Sequence, residues 1–395
     1  MFSFNVQNEK SGIIYYNCNL VNQLSDGIVT PIRASFEQSL NSVLISDVSK
    51  YDLCISRFSL SALSIPFWLV PIVPNQPNPT LTPYRIVLRY TSPTNNRSST
   101  GSSNLYFVQN TKPLTTQTNG FSYGYSYDKQ DFIDMFNIAL QSAMNDLRTN
   151  FIATYPTDPT PPPSGDPFID GHPNPELPVL KYNESFQKFQ IYYEESIWTG
   201  NYAIKLFVNE ILYPLIQFPA SNTVVDNLYQ LEVATNDNYY EPTFVLYFPE
   251  LNRVYLVMYS DHNTLGMFTP LSKIVIASTN LPVVSENVQP ANNTYSLSTP
   301  NAVNQILGAR IVTDFEPDYS TTNLVNRDFI QFNQSVNNSR LIGLQGFVPL
   351  TRFDLSVYWT DQNNNLHPVM LYNGQSFNIK ACFVPKSYVS WNPHS

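Results

Sequence analysis

Residues 353–383 read FDLSVYWTDQNNNLHPVMLYNGQSFNIKACF, and their patterning decides the fold class. Leu355, Val357 and Trp359 fall on one side of an extended chain, with Asp354, Ser356 and Tyr358 on the other. This is the period-two signature of a strand. Phe377, Ile379 and Ala381 alternate with Asn378, Lys380 and Cys382 in the same way. Residues 361–365 supply an outer turn. Asn373-Gly374 supplies a tight one, because both central residues of a type I′ hairpin turn need positive φ. The expectation is a meander of three strands over 353–359, 366–371 and 376–384. One of its faces should be core. The other is nearly uncharged, and that face or the strand edges should meet neighbouring subunits. The segment carries no catalytic group.

Working outward, strand patterns recur at 51–60, 189–193, 228–233, 243–248, 254–259, 274–278, 307–313, 329–332 and 341–344. Residues 84–90 and 105–109 flank a polar stretch and read as a hairpin with a long tip. One helix is predicted at about 128–151. Its apolar residues Phe132, Met135, Phe136, Ala139, Leu140, Ala143, Leu147 and Phe151 repeat at spacing three to four, a stripe for one neighbour. Asp128 is its expected N-cap, with Gln130 and Asp131 in the first turn. A shorter helix is predicted within 209–215. The Pro-rich run 155–178 cannot join a ladder or a helix interior and reads as an exposed polyproline-like loop; 286–305 reads as a second long loop. Many strands, few helices and long polar loops predict an all-β antiparallel sandwich, and a jelly roll tolerates such loops best.

Composition narrows the function classes. Only 13% of the 395 residues are charged, while 14% are aromatic, with 26 Tyr and 25 Phe. Neutral amides and hydroxyls enter a protein contact at far lower desolvation cost than Lys or Glu. The chain therefore suits extensive subunit contacts; an AT-rich genome would enrich Asn and Tyr as well. A net charge of -9 without a basic arm argues against direct nucleic-acid binding. Cys18, Cys54 and Cys382 are odd in number and far apart, forming no CxxC pair and no disulfide framework, which favours a reduced compartment. The opening MFSFNVQNEK lacks a signal-peptide pattern. Residues 60–73 form the longest apolar run, too short for a membrane span and interrupted by Pro66 and Pro71; they read as a buried extended segment.

Catalytic chemistry finds little footing. His172, His262, His367 and His394 stand in no metal-ligand spacing. Ser260-Asp261-His262 contains triad residue types, but consecutive side chains do not supply triad geometry, and a turn after a strand explains them better. No Gly-rich phosphate loop and no GxSxG occurs. Asp314, Glu316 and Asp318 form an acidic cluster that could take a hard cation, though an acidic turn accounts for it more simply. Glu194-Glu195 is a carboxylate pair with no visible partner across a groove. No catalytic, cofactor or metal site is expected.

The N-terminal stretch ASFEQSLNSVLISDVSKYDLCISRFSLSALSIPFW contains Tyr51, Leu53, Arg57 and Phe58, followed by Ile65, Pro66 and Phe67. This part resembles the start of the minor capsid (penton-type) proteins of polinton-like viruses, adintoviruses and virophages. FIDMFNIALQSAMNDL, YAIKLFVNEILYPLIQFP, IVTDFEP and the C-terminal RLIGLQGFVPLTRFDLSVYWTDQNNNLHPVMLYNGQSFNIKACFVPK are similar to the same family. The resemblance implies a jelly-roll core over 1–90 and 250–395, with 91–249 as an inserted or second domain carrying the helix and the loop 155–178. It also implies a virion protein made in the host cytoplasm or nucleus. That protein would be a homopentamer at five-fold vertices beside a major capsid protein, without catalytic residues. The alternative is a β-sandwich binding a host receptor or glycan through loops such as 92–103 or 155–178. An enzyme such as a glycoside hydrolase would instead show two carboxylates converging in an aromatic groove.

Overall fold

A computed structural model describes residues 7–8, 12–23, 31–73, 76–91, 96–108, 123–157, 178–194, 204–221, 227–231, 246–248, 253–283, 310–316, 329–333, 340–362 and 366–389. They gather into two compact units. Unit 1 holds the described residues up to Pro66 and from Pro270 onward; unit 2 holds those of Phe67–Gln117 and Phe121–Thr269.

Unit 1 begins with β1 (Gln7–Asn8), β2 (Ile14–Val21), β3 (Ile32–Arg33), β4 (Ser35–Ser39) and β5 (Tyr51–Ser61). Unit 2 then runs through β6 (Trp68–Pro71), β7 (Leu81–Thr91), β8 (Ser98–Tyr106), β9 (Tyr123–Ser126), helix α1 (Lys129–Thr154), β10 (Val179–Asn183), β11 (Lys188–Glu194) and β12 (Lys205–Asn209). The short helix α2 (Tyr213–Ile216), β13 (Leu228–Gln230), β14 (Leu246–Phe248), β15 (Arg253–Tyr259) and the short helix α3 (Leu265–Phe268) complete it. Unit 1 resumes with β16 (Lys273–Ser278), β17 (Arg310–Phe315), β18 (Phe329–Asn333), β19 (Ile342–Gly343), β20 (Arg352–Thr360), β21 (Leu366–Pro368), β22 (Met370–Leu371), β23 (Ser376–Pro385) and a last turn of helix at Lys386–Val389.

Unit 1 contains two main antiparallel sheets. The first has the order β1-β2-β23-β5-β18, with β19 also on β5. The second has the order β17-β16-β20-β21, with β4 on β20. Side chains from the two sheets interlock as aromatic pairs. Tyr16 of β2 meets Phe353 of β20 at 5.0 Å, Phe58 of β5 meets Phe315 of β17 at 5.0 Å, and Phe353 meets Phe383 of β23 at 6.0 Å. Each buried Phe contributes about 1.5–3 kcal/mol of hydrophobic stabilisation, and edge-to-face geometry adds to it. The chain is thus all-β and antiparallel in its dominant architecture, with one long helix.

The opening stretch departs from the expected meander. β20 and β21 do form a hairpin, Tyr358 opposite Pro368. β22, however, pairs with β3, and β23 lies in the other sheet between β2 and β5. Asn373-Gly374 therefore makes a corner between sheets. Gln375 N donates to the Tyr372 carbonyl at 3.0 Å. Only Gly374 has positive φ, at +79°, as in a type II turn and unlike type I′. Two buried amide side chains hold the corner. Asn22 Nδ2 donates to Leu371 O at 2.8 Å, and Gln375 Oε1 accepts from Tyr372 N at 2.9 Å and Ser64 Oγ at 2.8 Å. A turn signal specifies the local bend; the next strand's partners are chosen by distant residues.

In unit 2, α1 is built as its sequence directs. Asp128 caps it, its Oδ1 accepting from Gln130 N at 3.0 Å, an arrangement worth about 1 kcal/mol. Its apolar stripe is buried, together with Ile133 and Met144. The helix runs on to Thr154, because Phe151 still has a core to reach. It covers two strands that end their sheets: β8 closes the order β13-β12-β7-β8, and β10 opens the order β10-β11-β15-β14. Amide and carboxylate side chains of α1 take the hydrogen bonds that a next strand would take. Asn137 both accepts from Leu180 N at 2.8 Å and donates to Leu180 O at 3.1 Å. Asp146 accepts from Ser102 N at 2.9 Å, and Asn150 donates to Thr100 O at 2.9 Å. Covered edges cannot recruit stray strands.

The expected long hairpin tip at 91–104 is mostly strand, since β8 begins at Ser98. The polar run Ser98–Ser103 is small because α1 lies on it. A Cβ on Gly101 would stand 2.2 Å from the Ala143 carbonyl oxygen. Beneath α1, Phe132 packs on Trp68, Phe189 and Phe268 at 5.4, 5.4 and 4.9 Å. The predicted short helix is four residues long, at Tyr213–Ile216. Of the apolar run 60–73, Leu60, Ser64, Ile65, Pro66, Trp68 and Val70 are buried and Leu63 is 56% exposed; a 3-10 turn at Ala62–Ser64 breaks the expected extended segment.

Candidate functional site

The described residues that could have carried chemistry are occupied by structural tasks. Ser260 follows β15, is buried, and donates to the His262 carbonyl at 3.0 Å, while Asp261 and His262 are exposed. The run is a turn. Asp314 of β17 lies 3.2 Å from Arg340 Nη1 and 3.5 Å from Lys273 Nζ, and Glu316 lies 3.7 Å from the same lysine. Two cations thus already neutralise this acidic pair; Asp318 lies outside the described residues. His367 stacks on Trp359 at 4.1 Å, with Nε2 3.2 Å from the Asp361 carboxylate, and so braces the β20–β21 hairpin. His172, His394, Glu195 and residues 158–177 also fall outside the described residues.

Ser356 and Asn378 were expected on a face open to neighbours. Ser356 is half-buried and shares a 2.9 Å hydrogen bond with Ser35 across the β4–β20 pairing. On either side of it, Asp354 and Tyr358 are 5% and 7% exposed. Tyr358 packs with Val275, Ala277 and Leu366 into a second apolar layer, and burial raises its hydroxyl pKa. The second face of β20 is therefore mostly covered by the chain itself. Asn378 is also half-buried and accepts from Arg57 at 3.3 Å.

Among the described residues of unit 1, the two most exposed large apolar side chains lie elsewhere. Phe347 and Val348, in the loop between β19 and β20, are 85% and 78% exposed. Both feet of that loop are tied down. Gln345 N donates to Pro282 O at 2.8 Å, and Leu350 exchanges backbone bonds with Ile45 and Leu44 at 2.8 and 3.0 Å. Gly346, at φ +101°, takes a bend that a side chain would strain. Val43, 49% exposed, sits just before the pinned Leu44. Scattered exposed apolar residues are ordinary. Two adjacent ones, on a short loop anchored at both ends, form a preformed knob. Sequence inspection missed it, because Phe-Val between Gly and Pro reads equally well as core.

Several known proteins resemble this chain in sequence or in structure. Over 167 residues it is 28% identical to structural protein V19 of Sputnik virophage, covering 41% of this chain and 69% of the relative. A chain of the Sputnik virophage cryo-EM structure superposes with TM-score 0.64 at 22% identity, covering 95% of this chain and 99% of that one. The mavirus penton protein superposes with TM-score 0.56 at 19% identity, covering 94% and 99%. The virophage family resemblance read from residues 51–67 and the C-terminal segment agrees with these findings. The family model described as Sputnik minor capsid protein V18/19 matches residues 14–385, so the chain belongs to that family and is a structural protein of a virion capsid.

Proposed function

We propose that the chain acts by assembly and without catalysis, as a penton subunit repeated five times around a vertex and bordered by a major capsid protein. The supporting observation is the anchored knob of Phe347 and Val348. Burying it in a neighbour would contribute about 1.5–3 kcal/mol per side chain, with no loop-ordering cost to offset the gain. A five-fold ring needs a heterologous contact, in which one patch meets a different patch on the next copy, and a protruding knob suits that geometry. The low charge of the chain fits the same role, since neutral polar surface is cheap to desolvate. The division of the chain supports a jelly-roll core formed by its two ends, with residues 91–249 contributing to a second domain.

Native mass spectrometry and electron microscopy of the purified chain test this reading. Wild type should form a five-fold ring. The double variant Phe347→Ser with Val348→Ser should run as a monomer with the wild-type circular-dichroism spectrum, melting lower only by the stabilisation that assembly gives wild type. A wild-type chain that stays monomeric at high concentration, or a double variant that assembles normally, refutes it.

A further inference from the structure

Cys54 and Cys382 lie near opposite ends of the sequence, yet β5 and β23 set them directly opposite each other. Leu53–Phe383 and Ile55–Ala381 are the flanking pairs. Facing residues of an antiparallel pair have Cα atoms about 4.5–5.5 Å apart, within the roughly 4.4–6.8 Å that a disulfide spans. Cys382 Sγ donates to Ser56 Oγ at 3.2 Å. Both are fully buried, in a cluster with Ile13 and Val384 on which Tyr15 and Leu341 pack. Hydrogen bonding with Cys54 brings the Cys382 thiol down to about 7, outweighing burial. Cys18 provides an internal contrast: it sits opposite Ile379 in the neighbouring pairing, and burial pushes its thiol up. The attacking species in thiol chemistry is the thiolate.

We propose that Cys54 and Cys382 form a redox pair that closes into a disulfide joining β5 to β23 when the chain passes from reducing to oxidising surroundings. The oxidant is a low-molecular-weight disulfide of the glutathione class. The Cys382 thiolate attacks one of its sulfurs, making a mixed disulfide and expelling one thiolate. The Cys54 sulfur then attacks Cys382 Sγ, forming the protein disulfide and expelling the second. Two electrons and two protons pass from the protein dithiol to the reagent. Burial makes this slow in the closed fold, so the reagent enters during local opening. The finished bond would then persist, because the same burial shields it from reductants. The linked ends enclose a long loop, so the constraint on the unfolded chain is large.

The test uses the full chain, reduced, then incubated with oxidised glutathione in sub-denaturing urea and alkylated under denaturing conditions. Mass spectrometry should count three alkylated thiols before oxidation and one, Cys18, after it. A single linked peptide pair should contain Cys54 and Cys382. The melting temperature should rise by roughly 10 °C and return on adding dithiothreitol. The variants Cys54→Ser and Cys382→Ser should each lose the rise, and Cys18→Ser should keep it. Three alkylatable thiols after oxidation, glutathione left on Cys382 without the linkage, or a bond to Cys18 each overturn the proposal.

Discussion

Asp354 offers the sharpest test of how unit 1 is held. It lies in β20 at 5% exposure, and its carboxylate accepts four hydrogen bonds from the turn that ends β16. Ser278 Oγ and Asn280 N donate to Oδ1 at 2.6 and 2.7 Å, while Thr279 N and Oγ1 donate to Oδ2, both at 2.8 Å. Asp354→Asn replaces one acceptor oxygen with a donor. The amide should turn its NH2 toward the Oδ1 position, because Asn280 N has a second acceptor in Ser278 Oγ at 3.2 Å. The charge-assisted bonds at about 1.5–3 kcal/mol become neutral ones near 1 kcal/mol, and one donor pair clashes. A loss of about 2 kcal/mol is expected. Asp354→Ala strands the Thr279 N–H as well, at a further 1–3 kcal/mol or so, for about 4 kcal/mol in all. Equilibrium urea denaturation measures both. Hydrogen exchange gives the local readout: the Thr279 and Asn280 amides should exchange on the order of 30-fold faster in the Asn variant, the equivalent of about 2 kcal/mol. If the Asn variant stays within about 0.5 kcal/mol of wild type, or exchanges at the wild-type rate, the carboxylate is not what holds this turn.

Two further perturbations address unit 2. Gly101→Ala puts a methyl group 2.2 Å from both Ala143 O and Leu147 N, backbone atoms that cannot swing aside. Urea denaturation should show a loss of about 3 kcal/mol or more, whereas Gly266→Ala, with nothing within 4 Å, should be neutral or slightly stabilising. Asp131 is buried with Oδ1 lacking a partner while Oδ2 accepts from Ser126 at 2.8 Å, and burial raises its carboxyl pKa. A raised folded-state pKa means stability is fully present below the unfolded value, near 3.9, and is lost as pH climbs toward the folded value. Asp131→Asn removes that loss. It forfeits a helix-dipole contribution of about 0.3–1 kcal/mol but removes the larger cost of holding a charged carboxylate in a desolvated site. Melting curves should show the variant more stable by about 1 kcal/mol at neutral pH, with the gap closing in acid; a gap that widens in acid would contradict the assignment.

What could be read from the residues depended on how far apart the deciding atoms lie. The alternation at 353–359 and 376–384 is local, so both strands were legible. The helix stripe and its Asp128 cap were legible for the same reason. Sheet membership was not, because β23 takes its place from Tyr16, Cys18 and Leu53 at the far end of the chain, and Asn373-Gly374 is blind to them. The part of β8 before Leu105 was read as loop because Gly and Asn are depleted in strands and Ser favours turns. Those residues are small because a helix backbone rests on them, a tertiary fact that looks like flexibility in one dimension. β2 was overlooked although Tyr16 and Cys18 do alternate with Tyr15 and Asn17, a pattern masked by the polar character of the outer row. The functional surface follows the same logic. An exposed Phe347 and a buried Phe353 are the same letter, and only the pinned loop around Gly346 separates a knob from a core residue. The cysteines show it most sharply: their sequence separation argued against pairing, while the register of β5 and β23 sets two of them face to face. In a fold whose ends close the sheet, distance along the chain carries little information about distance in space.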